Sequence, residues 1–145
     1  MENSIRDKSL EQLENNYLPI PNENSVTGLV YNVLSLRKKL LKNYSIADLR
    51  LCISQNQGLP YLVPIAIPII EKNPLAGNFP YPGALLLALL TSDKLFWEEH
   101  SDYKKRIITI FDKRVMQLIA EAELSEEIKQ DLFYWLHKFD NDTNQ

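Results

Sequence analysis

The chain has little of what several common function classes require. Cys52 is the only cysteine among 145 residues. No intramolecular disulfide can form, and no thiol cluster can build a zinc site. The two histidines, His100 and His137, have no cysteine or second histidine at metal-ligand spacing and read as helix-end or surface residues. Only four glycines occur, at 28, 58, 77 and 83, each isolated, so no glycine-rich loop can cradle a phosphate. Strongly apolar runs are short. Gly58–Ile70 is 13 residues with three prolines, too short for a membrane-spanning helix, and Phe79–Leu90 is no longer. Both read as buried core, and no membrane association is expected.

Basic charge is not in excess either: 16 Lys and Arg stand against 19 Asp and Glu, a net charge of −3. A nucleic-acid binder would show a basic footprint. The triplets Arg37-Lys38-Lys39 and Lys104-Lys105-Arg106 are scattered rather than gathered on one recognition helix, so nucleic acid is not an expected partner. No useful run alternates with period two, and no strand is predicted. The start, MENSIRDKSLEQLENN, is polar and lacks the apolar core of a secretory signal. With the lone cysteine, that points to a reducing cytoplasm.

What is present is an ordinary globular balance, 45% apolar and 24% charged, in a chain long enough for one domain with a real core. The apolar material is concentrated in the middle. Leu49–Leu90 holds six of the eight prolines and only three charged residues, Arg50, Glu71 and Lys72. Residues 1–42 carry five acids and six bases, residues 43–97 three of each, and residues 98–145 eleven acids and seven bases. The centre therefore reads as core and the flanks as its wrapping. The predicted fold is all-α: a single domain over 1–145, a bundle of about six to seven helices around a central apolar, proline-kinked helix, with 1–8 and 140–145 frayed.

Individual helices have start and stop signals. Ser9 with Gln12 predicts a capping box for a short first helix that turns Leu10 and Leu13 inward, ended by Pro19 and Pro21. Val26, Leu29, Val30, Val33, Leu36, Leu40 and Leu41 have helical spacing, and Arg37, Lys38, Lys39 and Lys42 suit the negative C-terminal end of that helix. Ser45 with Asp48 opens a helix with Ile46, Leu49, Cys52 and Ile53 on one face, and Gly58 is expected to end it. Prolines 60, 64 and 68 would share a helix face, and each interior proline removes a donor from the carbonyl four residues back. The next helix is therefore expected to start near Leu62 with Pro64 in its first turn, and to end at Asn73-Pro74. After the loop 75–83, Pro82 is placed in the first turn of an all-round apolar helix through Leu90. Ser101 caps a predicted five-turn helix through Ala122. Ile128, Leu132, Trp135, Leu136 and Phe139 mark a final amphipathic helix.

Candidate chemistry is sparse. Cys52 lies on an apolar face and reads as a small buried hydrophobe rather than a nucleophile. No catalytic, cofactor-binding or metal-binding residue is predicted, and no enzyme activity is expected. Glu98 and Glu99 are adjacent, so on a helix they point about 100° apart, a poor arrangement for a catalytic pair. Together with Asp102, and with Glu121, Glu123, Glu126 and Glu127 further on, they read either as solvated helix ends or as an acidic docking surface for a basic protein. Phe79, Tyr81, Phe96, Trp97 and Tyr103 are the aromatics that could serve as interface anchors. Tyr81 is the preferred anchor, and Trp97 is assigned to the core.

The segments DLRLCISQNQGLPYLVPIAI, EKNPLAGNFPYPGALLLALL and LFWEEH, within Ser45–His100, resemble the immunity proteins of bacterial contact-dependent growth inhibition systems. Gln55–Ile67 and the Asn73–Gly83 loop carry most of the likeness. The resemblance implies a small cytoplasmic, non-enzymatic protein. Such a protein binds and neutralises the C-terminal toxin domain, often a nuclease, of an effector delivered by a sibling cell. It implies no particular contact residue. A nuclease must hold phosphate and so would present a basic cleft. Glu98, Glu99 and Asp102 near one helix junction, and Glu121, Glu123, Glu126 and Glu127 near another, are the residues expected to meet it, with Tyr81 as anchor. The alternatives are a helical adaptor unrelated to toxins, and a small-molecule-binding or enzymatic domain using a cleft around Cys52 and Tyr61.

Overall fold

The computed structural model describes residues 2–22 and 24–141; residues 142–145 of the expected frayed tail lie outside these. Both capping boxes form. Ser9 Oγ accepts from the Gln12 N–H at 3.3 Å and Gln12 Oε1 accepts from the Ser9 N–H at 2.9 Å, opening α2 (Leu10–Glu14) behind a short α1 (Glu2–Arg6). Ser45 and Asp48 do the same at the start of α4 (Ile46–Ser54), at 3.1 and 3.0 Å. What ends α2 is Asn15 in the left-handed conformation (φ 51), four residues before the first proline.

Between these, α3 (Gly28–Leu36) is shorter than its spacing predicts. The chain leaves the helix at Arg37, pairs Leu40 with Ser9 in an isolated antiparallel bridge, and makes a 3-10 turn over Leu41–Asn43. The reason is a competing set of partners. Arg37 is 3% exposed. Its guanidinium pairs with Glu14 at 2.6 Å and donates to the Asn16 carbonyl and to Gln57, both at 3.3 Å. Lys38, Lys39 and Lys42 reach Glu11, Asp48 and Asp7 at 3.0, 2.8 and 3.2 Å. The basic run thus ties α3 to its neighbours instead of complementing one helix end. A consequence is that Leu29 and Val30, expected in the core, are 44% and 42% exposed, and only Val33 of α3 is buried.

Gly58, expected to end α4, instead starts α5 (Leu59–Lys72) from a left-handed φ of 62, and Asn56 (φ 57) makes the turn after α4. The helix begins three residues before Leu62, so Pro60 rather than Pro64 takes the first turn, where a missing N–H costs nothing. It continues through Pro64 and Pro68. Pro60 and Pro68 are exposed and Pro64 half-buried, while Leu62, Val63, Ala66, Ile67 and Ile70 are buried opposite. The face that loses two backbone bonds is the one turned outward.

Gly83 (φ 92) starts α6 (Ala84–Thr91), so Pro82 lies just outside the helix. Leu85, Leu86, Leu89 and Leu90 are all buried, and α6 packs against α4, α5 and α10 (Glu126–Asn141). Each such leucine stabilises the fold by about 1.5–3 kcal/mol through apolar surface removed from water. The helix predicted from Ser101 to Ala122 is two: α8 (Ser101–Ile110) and α9 (Lys113–Glu121). Asp112 breaks it by capping α9, its Oδ1 accepting from the Val115 N–H at 2.9 Å. With α7 (Lys94–Glu99), ten α-helices and no strand are found among the described residues. The three beyond the expected seven are α1, α7 and the second half of the divided helix.

Candidate functional site

The acids named from the sequence fall into two groups, held apart by α10. Trp97 of α7 packs edge-on against Phe139, with ring centroids 5.2 Å apart, and Phe96 packs edge-on against Trp97 at 5.1 Å. The Trp97 indole N–H donates to Ser92 Oγ at 2.8 Å, and that hydroxyl donates to the Leu89 carbonyl at 2.7 Å. These contacts fix α7 beside the C-terminal turns of α10. At the other end, Lys129 Nζ donates to the Ala120 carbonyl at 2.7 Å and joins α9 to the start of α10. At 1.5 Å per residue, Glu126 and Phe139 are about 20 Å apart along the helix.

The first group, Glu98, Glu99 and Asp102, lies across the α7–α8 joint, all exposed. His100 organises the joint. Its ring stacks on Phe96 at 4.2 Å and on Tyr103 at 5.7 Å. Its Nδ1 is 2.8 Å from the Phe96 carbonyl, which can only accept, so Nδ1 carries the proton. Glu99 and Asp102 line a shallow depression of about 300 Å³ with His100, Ser101 and Tyr103. The second group, Glu121, Glu123, Glu126 and Glu127, rims the α9–α10 turn, again exposed. Glu121 accepts from Gln117 at 2.8 Å, and Glu126 is 4.0 Å from Lys129.

Charge use separates these acids from those earlier in the chain. Asp7, Glu11, Glu14, Asp48 and Glu71 are each spent on a Lys or Arg within the fold. Among the described residues, Glu98, Glu99, Asp102, Glu123 and Glu127 have no cation at ion-pair distance. The basic triplet beside the first group does not neutralise it: Arg106 is engaged by Glu71 of α5 at 2.5 Å, and Lys104 is buried.

Tyr81 is half-buried, close to Asp131 and Arg50 rather than to either acidic group, and burial followed by the Asp131 charge raises its pKa. The loop's outward aromatic is Phe79, 68% exposed. Trp97 belongs to the core, as expected. Leu95, 63% exposed, is an apolar side chain beside the first acidic group that the sequence did not single out. The only cue was that Phe96 and Trp97 must face inward together, which turns Leu95 out.

Cys52 is fully buried on the inner face of α4, where burial pushes its thiol up to about 11; burial also raises the neighbouring Tyr44 hydroxyl. Tyr61 lines a groove along Pro60, Pro64 and Pro68, and Cys52 is not part of its wall. Among the described residues, no group of three or more His, Cys, Asp or Glu side chains is placed to hold a metal ion, and no helix is long and apolar enough to cross a membrane.

An all-helical domain built around α6, with its unspent acids on the outer surface and its lone thiol sealed inside, has the form of a protein-binding module. The family of CDI immunity proteins matches the chain over residues 12–107, about two thirds of its length, and the chain belongs to that family. Its function is immunity against a contact-dependent growth inhibition toxin, exercised by binding that cognate toxin protein. No curated protein and no solved structure matches the chain. The first acidic group lies inside the matched span; the second lies beyond it.

Proposed function

We propose that the chain neutralises its toxin stoichiometrically, by laying acidic side chains over a basic, phosphate-binding cleft, and that the toxin is a nuclease. The observation that carries this is the exposed, unpaired state of Glu98, Glu99 and Asp102 at the α7–α8 joint, where Glu99 and Asp102 line one depression. Exposed carboxylates without internal partners cost the fold nothing when a partner uses them. In a complementary field they speed capture and fix orientation more than they add raw affinity. Leu95, exposed beside the first acidic group, is the apolar side chain suited to anchor such a contact, with Phe79 and the half-covered Tyr81 forming a separate apolar patch on the loop before α6. Glu121, Glu123, Glu126 and Glu127 extend the same field from the other end of α10.

The test is charge reversal. Glu98→Lys, Glu99→Lys and Asp102→Lys together should slow association with the cognate toxin domain by about tenfold or more at low salt, with the difference shrinking at high salt. The same measurement on Glu121, Glu123, Glu126 and Glu127 assigns the second group. If neither set changes the association rate or affinity, the electrostatic account is wrong. Protection of growth on co-expression with the toxin is scored separately, because immunity by another surface would survive that result.

A further inference from the structure

Lys104 is 8% exposed, yet among the described residues it has no carboxylate partner; Arg37, the other buried cation, has Glu14. The Lys104 Nζ sits 5.0 Å from the centre of the Phe139 ring. It opens into a recess of about 290 Å³ between the end of α6, α7, α8 and the last turns of α10. Lys94 and Lys138 line the same recess, and so do Trp97, Trp135 and Phe139. Lys138 Nζ lies 5.1 Å from the centre of the nearer Trp135 ring and, like Lys94, has no ion-pair partner among the described residues. Among the described residues Asp93 is the one acid in the wall, and it is engaged in capping α7 by accepting from the Leu95 N–H at 3.2 Å. Three lysines against one aspartate leave two positive charges here, on a chain whose net charge is −3. Asn56 adds a donor: its Oδ1 accepts from the Asp93 N–H at 2.8 Å, which leaves its amide N–H groups free.

A buried ammonium without a counterion is unfavourable, and an aromatic face offsets only part of that. Among the described residues the recess supplies the room, two further cations and a single carboxylate, Asp93, which is already engaged in capping α7. We propose that it is an oxyanion site. It takes a carboxylate or phosphate group against Lys104, closed over by Lys94 and Lys138, with the indoles walling the apolar remainder of the ligand. The group could be carried by an acidic side chain of a protein partner or by a phosphate-bearing small molecule, and the site's chemistry is the same for both.

Trp97 and Trp135, the chain's two tryptophans, both line the recess, so intrinsic fluorescence reports on it directly. The full chain is titrated with sodium phosphate, sodium acetate and a capped Glu-Glu dipeptide at constant ionic strength. A saturable change in emission is expected, with its midpoint moved at least tenfold higher in Lys104→Gln. Saturation by phosphate alone identifies a phosphate-bearing ligand; saturation by acetate and the dipeptide identifies an acidic side chain. The exposed variant Lys138→Gln gives a second reading, with a smaller shift in the same direction, should Lys104→Gln not fold. No saturable change with any of the three probes, or equal midpoints in wild type and the folded variants, overturns the proposal.

Discussion

Replacing Gly58 by alanine should be among the most damaging single-methyl changes available to this fold, and a change at Leu10 should relieve it. Gly58 holds a φ of 62, and a Cβ there would lie 2.4 Å from Leu10 Cδ2 and 2.8 Å from Cδ1. Leu10 is fully buried and cannot swing aside into solvent. Two costs combine: about 1–2 kcal/mol for an alanine in the left-handed region, and about 1–3 kcal/mol for overpacking. Gly58→Ala should therefore lose about 2–5 kcal/mol, against a total stability of about 5–15 kcal/mol for a domain of this kind. Leu10→Ala alone should cost about 3–5 kcal/mol, because it empties a fully buried leucine site. In the double variant the colliding atoms are gone and the new methyl refills part of the space. The double loss should then be smaller than the sum by about 1–3 kcal/mol. Urea unfolding followed by far-UV circular dichroism measures all four corners of the cycle. Additivity within about 0.5 kcal/mol would show that residue 58 does not meet Leu10, and the junction of α4, α5 and α2 described above would be wrong.

Four further outcomes are expected. Arg37→Ala should destabilise by about 2–4 kcal/mol in the same urea assay, below the full cost of orphaning a buried charge because Glu14 is partly exposed and can rehydrate. Lys42→Ala, whose pair with Asp7 is exposed, should cost no more than about 1 kcal/mol. Burial works to raise the Asp48 pKa, but the Lys39 ammonium and the Ser45 bonds outweigh it, so the net shift is downward. The stabilisation is then present above the ordinary carboxylate range and lost as pH falls through the lowered value; Asp48→Ala should cost about 1 kcal/mol near neutrality, a gap that closes in acid below about pH 4. A gap that persists unchanged in acid would contradict the assignment. Cys52, its thiol pushed up to about 11 by burial, should resist a disulfide reagent in the native protein and label only along the urea transition; fast native labelling would mean that α4 is not sealed as described.

The elements that were legible in the sequence are those whose signals are local. Ser9–Gln12 and Ser45–Asp48 place two helix starts because a capping box closes over four residues. The stripe Ile128 to Phe139 places α10 because one helix face suffices to define it. The apolar run after Gly83 places α6 at the centre because no other position would bury it on all sides. The misplaced boundaries depend on distant partners. Leu36 ends α3 because Arg37 is drawn to Glu14, Asn16 and Gln57. Gly58 belongs to α5 because Leu10, 48 residues earlier, fills the space its side chain would need. The exposed acids were legible as surface. That they are unpaired was not, since whether Lys94, Lys104, Lys105 or Arg106 reaches them depends on how α5, α7, α8 and α10 meet.

From the sequence alone follow the all-α class, the apolar centre between Leu49 and Leu90, the absence of a disulfide framework, and the resemblance that the family match bears out. These rest on composition, periodicity and short-range spacing, which do not depend on how the helices meet. The tertiary structure decided which charges are consumed in holding the fold and which remain for a partner. It also decided that Lys94, Lys104 and Lys138, scattered over 45 residues, line one recess with both tryptophans. Charge pairing and recess formation are set by distances between helices, and those are fixed only when α6 is enclosed and the flanks close around it.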